Sequence, residues 1–504
     1  MTRTTRRSID GNAAGRKLIE THSIDYIPLS ERHGKVWHQG PFWFAGNFIL
    51  LTLAAGFIGN STGLSLGWSI LAIVVGVCFG TFFMAFHANQ GPRMGLPQMI
   101  QSRAQLGSRG AIFSLTAAVL VYVGFIVFNL ILSTDALQVV LPGSKWFWYP
   151  VVAVVAVLIA VSGHDLLHFV QRWLTFILIA FYGVFTIYAI VNLGGQASVS
   201  HTGWTTSGFL TMFSVAAGYQ ITYAVYVSDY SRYLRKDTSQ IGVIVWTYVG
   251  AAGSAIWLMS LGALLADRMA NADAVSSMVK LGNEMLPNFG TVMVLISVPA
   301  LIGIAAVNSY GAMLTGTAAV DGFRSVLLGV RTRVIGIVII AVIAVAIALA
   351  IPDSYLGSFN NFITIVLYFL IPWTAVNLVD FYFIRHGRYA ITEIFNRRGI
   401  YGQWPWRGLT AYTAAMVAMV PFMVVGSYVG PVAVLLGGAD FSFLVGLVVA
   451  GLLYYLLNRN VDRSAEDRAI GASNMELDVL DAALSTGEPA KAVMEDNERR
   501  KDLL

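Results

Sequence analysis

Charge is scarce in this 504-residue chain: Asp, Glu, Lys and Arg together make up 12%, about half the roughly 25% of an ordinary soluble domain. With 56% hydrophobic residues, no water-facing surface of normal size can be built. From Gly40 to His87 the chain has no Asp, Glu, Lys or Arg at all. Cysteine is almost missing, and the single Cys78 sits in an apolar run, which excludes an intramolecular disulfide and a cysteine metal cage. No phosphate-binding loop and no nucleophile motif is present. The formal charge of +5 comes from short basic clusters between apolar runs rather than from a stripe, so no nucleic-acid partner is implied. The composition is that of an integral membrane protein.

A spanning helix needs about 20 mostly apolar residues. Twelve runs qualify, near 41–60, 64–87, 110–140, 146–163, 170–193, 207–227, 240–266, 289–318, 334–352, 356–383, 409–428 and 433–457. An even count puts both ends on one side, and that side then holds 29 of the 32 Lys and Arg residues. Lys145, Arg268 and Lys280 fall on the other. This bias predicts cytoplasmic termini in a multi-pass cell-membrane protein. The first run lacks a cleavage pattern and is not expected to be a signal peptide. Residues 458–504, rich in charge and poor in aromatics, are expected to form a solvated or disordered cytoplasmic tail.

Polar groups at bilayer depth are tolerated where they line a cavity or find partners. Span 1 carries Phe44-Ala45-Gly46-Asn47-Phe48, and span 6, five spans later, carries Ala216-Ala217-Gly218-Tyr219-Gln220. This matched pair predicts inverted repeats whose first helices are broken at a midplane site. Span 8 adds Pro299, Gly303 and Asn308. Gly63-x-x-x-Gly67 and Gly76-x-x-x-Gly80 read as close-packing motifs.

Two rival classes are weaker. His164-Asp165-x-x-His168 places two imidazoles on one helix face, but a catalytic zinc needs three protein ligands and no second cluster faces this one. No metal and no cofactor is therefore expected, and a membrane enzyme is disfavoured. A channel needs charge rings or a repeated filter motif, which are not visible.

The segments Gln90-Gly91-Pro92-Arg93-Met94-Gly95-Leu96-Pro97-Gln98 through Arg103, Tyr226-Val227-Ser228-Asp229-Tyr230-Ser231-Arg232-Tyr233-Leu234 and Leu378-Val379-Asp380-Phe381-Tyr382, with Arg388-Tyr389, Gly399-Ile400-Tyr401-Gly402 and Trp406-Arg407-Gly408, resemble the purine-cytosine permease branch of the nucleobase:cation symporter-1 family. The resemblance implies an all-α, leucine-transporter-like fold of twelve transmembrane helices. Two inverted five-helix repeats, about 41–193 and 207–383, are followed by two extra helices within 409–457, after a cytoplasmic segment 1–40. It also implies a monomeric symporter working by alternating access on a small heterocyclic substrate. The bundle of spans 1, 2, 6 and 7 would rock against the scaffold, with span 10 as the outer gate.

A flat, neutral base calls for an aromatic face and for amides that pair with a ring edge in both senses. By the resemblance, the substrate-binding candidates are Tyr122 and Asn129 on span 3, Tyr219, Gln220 and Tyr223 on span 6, Asn308 on span 8 and Asn47 on span 1. Ile126 stands where the family carries a Gln. Sodium in this fold is held by main-chain carbonyls of span 1, here Ala45 and Phe48, and by span 8 hydroxyls, here replaced by Ile302 and Gly303. Hard cations want oxygen ligands, so H+ is favoured over Na+ as the coupling ion, with a sodium-coupled hydantoin or allantoin permease as the alternative. Asp135 is the carboxylate nearest the expected path, and the proton carrier is left open. Asp229, Arg232, Arg235 and Lys236 read as a structural or gating ion network. Asn360 and Asn361 read as a gate or a helix cap.

Overall fold

Backbone N–H and C=O groups find no water in hydrocarbon, so long apolar runs satisfy them internally as helices. The computed structural model of the chain describes residues 25–162, 164–199, 203–269, 273–324, 326 and 329–486. These are helical almost throughout. Span 1 is a pair, α1 (Gln39–Asn47) and α2 (Leu50–Ala55), the second continued by α3 (Phe57–Ser61). There follow α4 (Leu66–Ala88) and the short α5 (Gln90–Met94), α6 (Gln98–Gln101) and α7 (Arg103–Leu106). Next come α8 (Ile112–Gln138), α9 (Lys145–Ser162), α10 (His164–Leu193), α11 (Thr206–Ala224) and α12 (Val227–Ser231). The chain goes on through α13 (Gln240–Arg268), α14 (Ala274–Met285), α15 (Phe289–Asp321), α16 (Val330–Ala350) and α17 (Leu356–Val379), which ends in a π-helical turn over Asp380–Ile384. The last helices are α18 (Ile391–Ile394), α19 (Trp406–Met419), α20 (Pro431–Leu435), α21 (Ser442–Asn458) and α22 (Ser464–Thr486). A two-stranded antiparallel hairpin, β1 (Val424–Val425) and β2 (Tyr428–Val429), precedes α20.

Among the described residues seven helices are long and apolar enough to cross a bilayer, and the bent pair at span 1 makes an eighth. Helices also lie in the other expected runs. There α9 and α21 are apolar but shorter, α19 has 14 residues, and α11 carries Ser, Thr, Gln and Tyr along its length. The helices α8 and α15 pack along each other, as do α4 and α11, while α13 lies against α1 and α4.

The break expected in span 1 falls at Phe48 (φ −85°, ψ 64°) and the extended Ile49, and the two halves meet at 66°. The break expected near Gly218 does not occur. Helix α11 runs on to Ala224, and the interruption comes at Tyr226 (φ −139°, ψ 8°). Gly218 serves close approach instead: a Cβ there would lie 2.7 Å from Ile363 Cγ2 on α17. Gly76 and Gly80 pack as expected, since their Cβ atoms would lie 2.5 Å and 2.2 Å from the Phe213 and Ala217 carbonyls of α11. Gly63 and Gly67 do not: Gly63 takes φ +86° in a turn, and Gly67 faces open space.

The tail departs from expectation as well. Much of 458–504 is the ordered helix α22, with Ile470, Ser473 and Leu477 on one buried face at the i, i+3, i+7 spacing. It is pinned by ion pairs of Arg385 with Glu466 (2.6 Å) and Arg388 with Asp467 (3.1 Å). Ser473 Oγ accepts from Thr392 N, and Asp481 Oδ1 from Leu29 N. Residues 1–24 and 487–504, and the side chains of His164, Asp165 and His168, lie outside the described residues.

Candidate functional site

The interruption of α1 turns backbone groups inward. Thr52 Oγ1 donates to the Asn47 carbonyl (2.6 Å) and bonds the Tyr219 hydroxyl (2.8 Å). The Tyr223 hydroxyl donates to the Gly46 carbonyl (3.3 Å). Asn47 Nδ2 donates to Gln220 Oε1 (3.4 Å) and to the Ala251 carbonyl (3.3 Å). Asn47, Gln220, Tyr219 and Tyr223 are thus brought together, and they lace α1, α2, α11 and α13. Asn47 Oδ1 is buried without a partner.

An aromatic cradle lies beside this lacing. Tyr122 of α8 is stacked on Tyr226, at the start of α12, with centroids 5.3 Å apart and planes 21° from parallel. Trp43 of α1 meets Tyr223 edge-on and lies tilted over Tyr226. Phe125 meets Tyr219 edge-on at 5.4 Å. The Tyr122 ring fits against α15 because residue 311 is glycine: a Cβ there would lie 2.6 Å from Tyr122 Cε1. Asn308, one turn earlier on α15, is buried at 5% exposure and lies at i−3 to Gly311, on a neighbouring part of the same helix face.

Asn129 does not join the cluster. Its Nδ2 donates 2.7 Å back to the Phe125 carbonyl and its Oδ1 is unpartnered. Seven residues of helix place it about 10 Å along α8 from Tyr122, at 1.5 Å per residue. Tyr226 and Trp43 were not among the sequence candidates. The spacing Tyr219, Tyr223, Tyr226, Tyr230 across the α11–α12 junction is the signal that marks Tyr226.

Residues 26–446 match the family of permeases for cytosine/purines, uracil, thiamine and allantoin. The chain belongs to this family. A putative purine-cytosine permease of Bacillus subtilis is 36% identical over 450 residues, covering 87% of this chain and 96% of that protein. The purine-cytosine permease FCY2 of Saccharomyces cerevisiae is 25% identical over 475 residues, covering 87% and 85%. Two solved structures of Mhp1, one inward facing and one closed with bromovinylhydantoin bound, superpose with TM-scores of 0.69 and 0.70. They cover 90% of this chain and 97% and 99% of theirs, at 17% identity. The permease therefore has the Mhp1-like fold and is an integral membrane transporter, as its curated relatives are permeases and not enzymes.

In the permease the expected cation ligands are unevenly placed. The Ala45 carbonyl accepts from Phe48 N at 3.2 Å. The Phe48 ring is stacked on Phe44 and packed against Tyr182 and Trp257. Gly303 is buried on α15 and Ile302 half-buried beside it. Among the described residues no group of three or more His, Cys, Asp or Glu is placed to hold a metal ion. Asn360 and Asn361 do not cap α17: Tyr355 is its N-cap, and Asn361 Oδ1 accepts from Gly426 N.

The segment 90–103 folds as the three short helices α5 to α7, packed inside protein. Asp229 Oδ1 accepts from Gln98 N at 2.8 Å, while Arg235 pairs with Asp237 in the open. A second buried knot closes α17. Asp380 accepts from Gln105 Nε2 (2.7 Å), Tyr389 (2.8 Å), Tyr454 (2.8 Å) and Arg385. Burial works against the Arg385 charge, but Asp380, Tyr454 and Glu466 outweigh it and hold the guanidinium well above its usual pKa.

Proposed function

We propose that the permease imports a purine, cytosine or related N-heterocycle by secondary active symport with a proton, through alternating access. The reading includes twelve transmembrane helices in two inverted repeats plus two, with both termini cytoplasmic and a cell-membrane location. The observation that supports it is the Tyr122–Tyr226 stack, with the buried Asn308 one turn from the Gly311 against which Tyr122 rests. Two aromatic faces and an amide suit a flat base, because stacking contributes about 1–3 kcal/mol per base and an amide both donates and accepts. The substrate ring would part Tyr122 from Tyr226 and present an edge to Asn308, with Tyr219, Tyr223 and the Asn47–Gln220 pair closing the chamber. The absence of side-chain oxygen at Ile302 and Gly303 supports a proton over sodium.

The test is a thermal-shift panel of cytosine, adenine, guanine, hypoxanthine, uracil, hydantoin and allantoin on the purified protein. Uptake into proteoliposomes under a pH gradient or a sodium gradient follows. Stabilisation by at least one base is expected, with uptake driven by the pH gradient. Asn308→Ala should abolish uptake while leaving membrane insertion intact, and wild-type uptake in that variant would remove the site. Accumulation under sodium alone would replace the proton by sodium.

A further inference from the structure

His87 closes α4 and is fully buried. Its imidazole lies flat on the Trp373 indole of α17, with centroids 4.6 Å apart and planes 4° from parallel. Gln98 Nε2 lies 3.2 Å from Nδ1, and Nε2 has no hydrogen-bond partner. The ring joins a one-way line of side-chain hydrogen bonds. Ser228 Oγ donates to Gln98 Oε1 (2.6 Å), and Gln98 Nε2 to Gln90 Oε1 (2.9 Å). Gln90 Nε2 donates to Asn377 Oδ1 (2.6 Å), Asn377 Nδ2 to Gln105 Oε1 (3.5 Å) and Gln105 Nε2 to Asp380 (2.7 Å). The line ties α12, α6, α5, α17 and α7 together.

The direction of the line fixes the state of the ring. Gln98 offers an N–H to Nδ1, so Nδ1 accepts and the neutral imidazole carries its hydrogen on Nε2. A proton added to Nδ1 would set donor against donor. Gln98 must then turn its amide, and it cannot hold Ser228 and Gln90 in the same sense afterwards. The only bond made is N–H, and the only bond broken on return is that N–H.

We propose that His87 is the group that binds the coupling proton, and that its protonation releases α12 from α5 and α6 at this end of the bundle. This rests on the proton-symport reading above. The ionisable groups on the elements around His87 are Arg93 on α5, Arg103 on α7, Tyr219 and Tyr223 on α11, Asp229 and Tyr230 on α12, Tyr248 on α13, Tyr368 on α17, and Asp380 and Tyr382 after α17. Helix α4 itself adds Cys78, and Asp267 and Arg268 stand at the far end of α13. Asp229, through Gln98 N, and Asp380, through Gln105, put a carboxylate at two points of the network.

The test uses full-length protein in proteoliposomes and the tritiated base that shifts melting most in the panel above. His87→Gln is expected to lose accumulation under a pH gradient by tenfold or more. Counterflow should stay within about threefold of wild type, since exchange returns a loaded carrier and needs no deprotonation. Gln98→Glu keeps the shape and sets a carboxylate beside Nδ1. It should move the midpoint of the uptake pH profile upward by about one unit or more, as a close opposite charge does. Gradient-driven accumulation by His87→Gln, or an unmoved midpoint in Gln98→Glu, overturns the assignment. Should His87→Gln lose counterflow too, the midpoint of Gln98→Glu decides. Wild-type accumulation under sodium but not under a pH gradient overturns the symport reading itself, and this assignment with it.

Discussion

The Tyr122 ring lies on the Tyr226 ring, 5.3 Å between centroids and 21° between planes, and the two come from α8 and from the junction of α11 and α12. On the reading proposed above, a planar ligand inserts between these two rings. Tyr122→Ala and Tyr226→Ala should each weaken base binding about 5- to 150-fold, the equivalent of about 1–3 kcal/mol of stacking. Tyr→Phe at either position should stay within a few-fold. Equilibrium binding of a labelled base checks this, and equal affinities for the Ala and Phe variants would remove stacking as the source of binding.

Gly311 sets where the Tyr122 ring rests. A methyl group there would lie 2.6 Å from Tyr122 Cε1 and 2.7 Å from Cζ, so in Gly311→Ala the ring must move, and overpacking of this kind costs about 1–3 kcal/mol. The variant should raise the Kd about tenfold, whereas Gly316→Ala, further along α15 and facing open space, should leave both Kd and melting temperature unchanged. Unaltered binding in Gly311→Ala would show that the Tyr122 ring does not touch the ligand.

The helices were legible because hydrocarbon leaves the backbone no alternative, and the break of span 1 because Gly46-Asn47 interrupts an apolar run. The break of span 6 was misplaced for a physical reason: Gly218 has a second use, letting Ile363 of α17 come close, and a small residue in a membrane helix serves packing as readily as unwinding. Tyr226 was missed because it stands at the edge of an apolar run, inside a motif that reads as a connecting loop. The order in α22 was hidden by its charge. Its apolar positions Ile470 and Leu477 are few, and the helix is held as much by Arg385, Arg388 and the Thr392 backbone as by burial.

Docking of α22 should respond to pH through Asp481. Burial, aided by Asp478, raises its carboxyl above the usual value, against the pull of the Leu29 N–H and Arg32. A carboxyl whose pKa is higher in the docked than in the free state binds its proton more tightly when docked. That contribution is full below the free value near 3.8 and is lost as pH rises through the raised one. Hydrogen exchange of α22 amides, corrected for intrinsic rate, should therefore show greater protection at the acid end of this window, and Asp481→Asn should abolish the dependence. The same pH response in Asp481→Asn would assign it elsewhere.

The knot at Asp380 makes a stability prediction of the opposite kind, because there a charge is kept rather than lost. Asp380 is fully buried and faces Arg385, itself little exposed. Removing one partner of such a pair leaves an uncompensated charge and costs about 3–5 kcal/mol. Asp380→Ala should lower the melting temperature sharply, by more than Arg388→Ala does, since the Arg388–Asp467 pair is more than half exposed and contributes about 0–1 kcal/mol. Glu466 remains as a second partner for Arg385, so Asp380→Ala with Glu466→Ala should lose more than the two separate losses combined. The double variant Asp380→Asn with Arg385→Gln should recover part of the single loss, because neither residue then carries a stranded charge. Simple additivity across these cycles would mean that Asp380, Arg385 and Glu466 act separately, and that the end of α17 is held to α22 by burial alone.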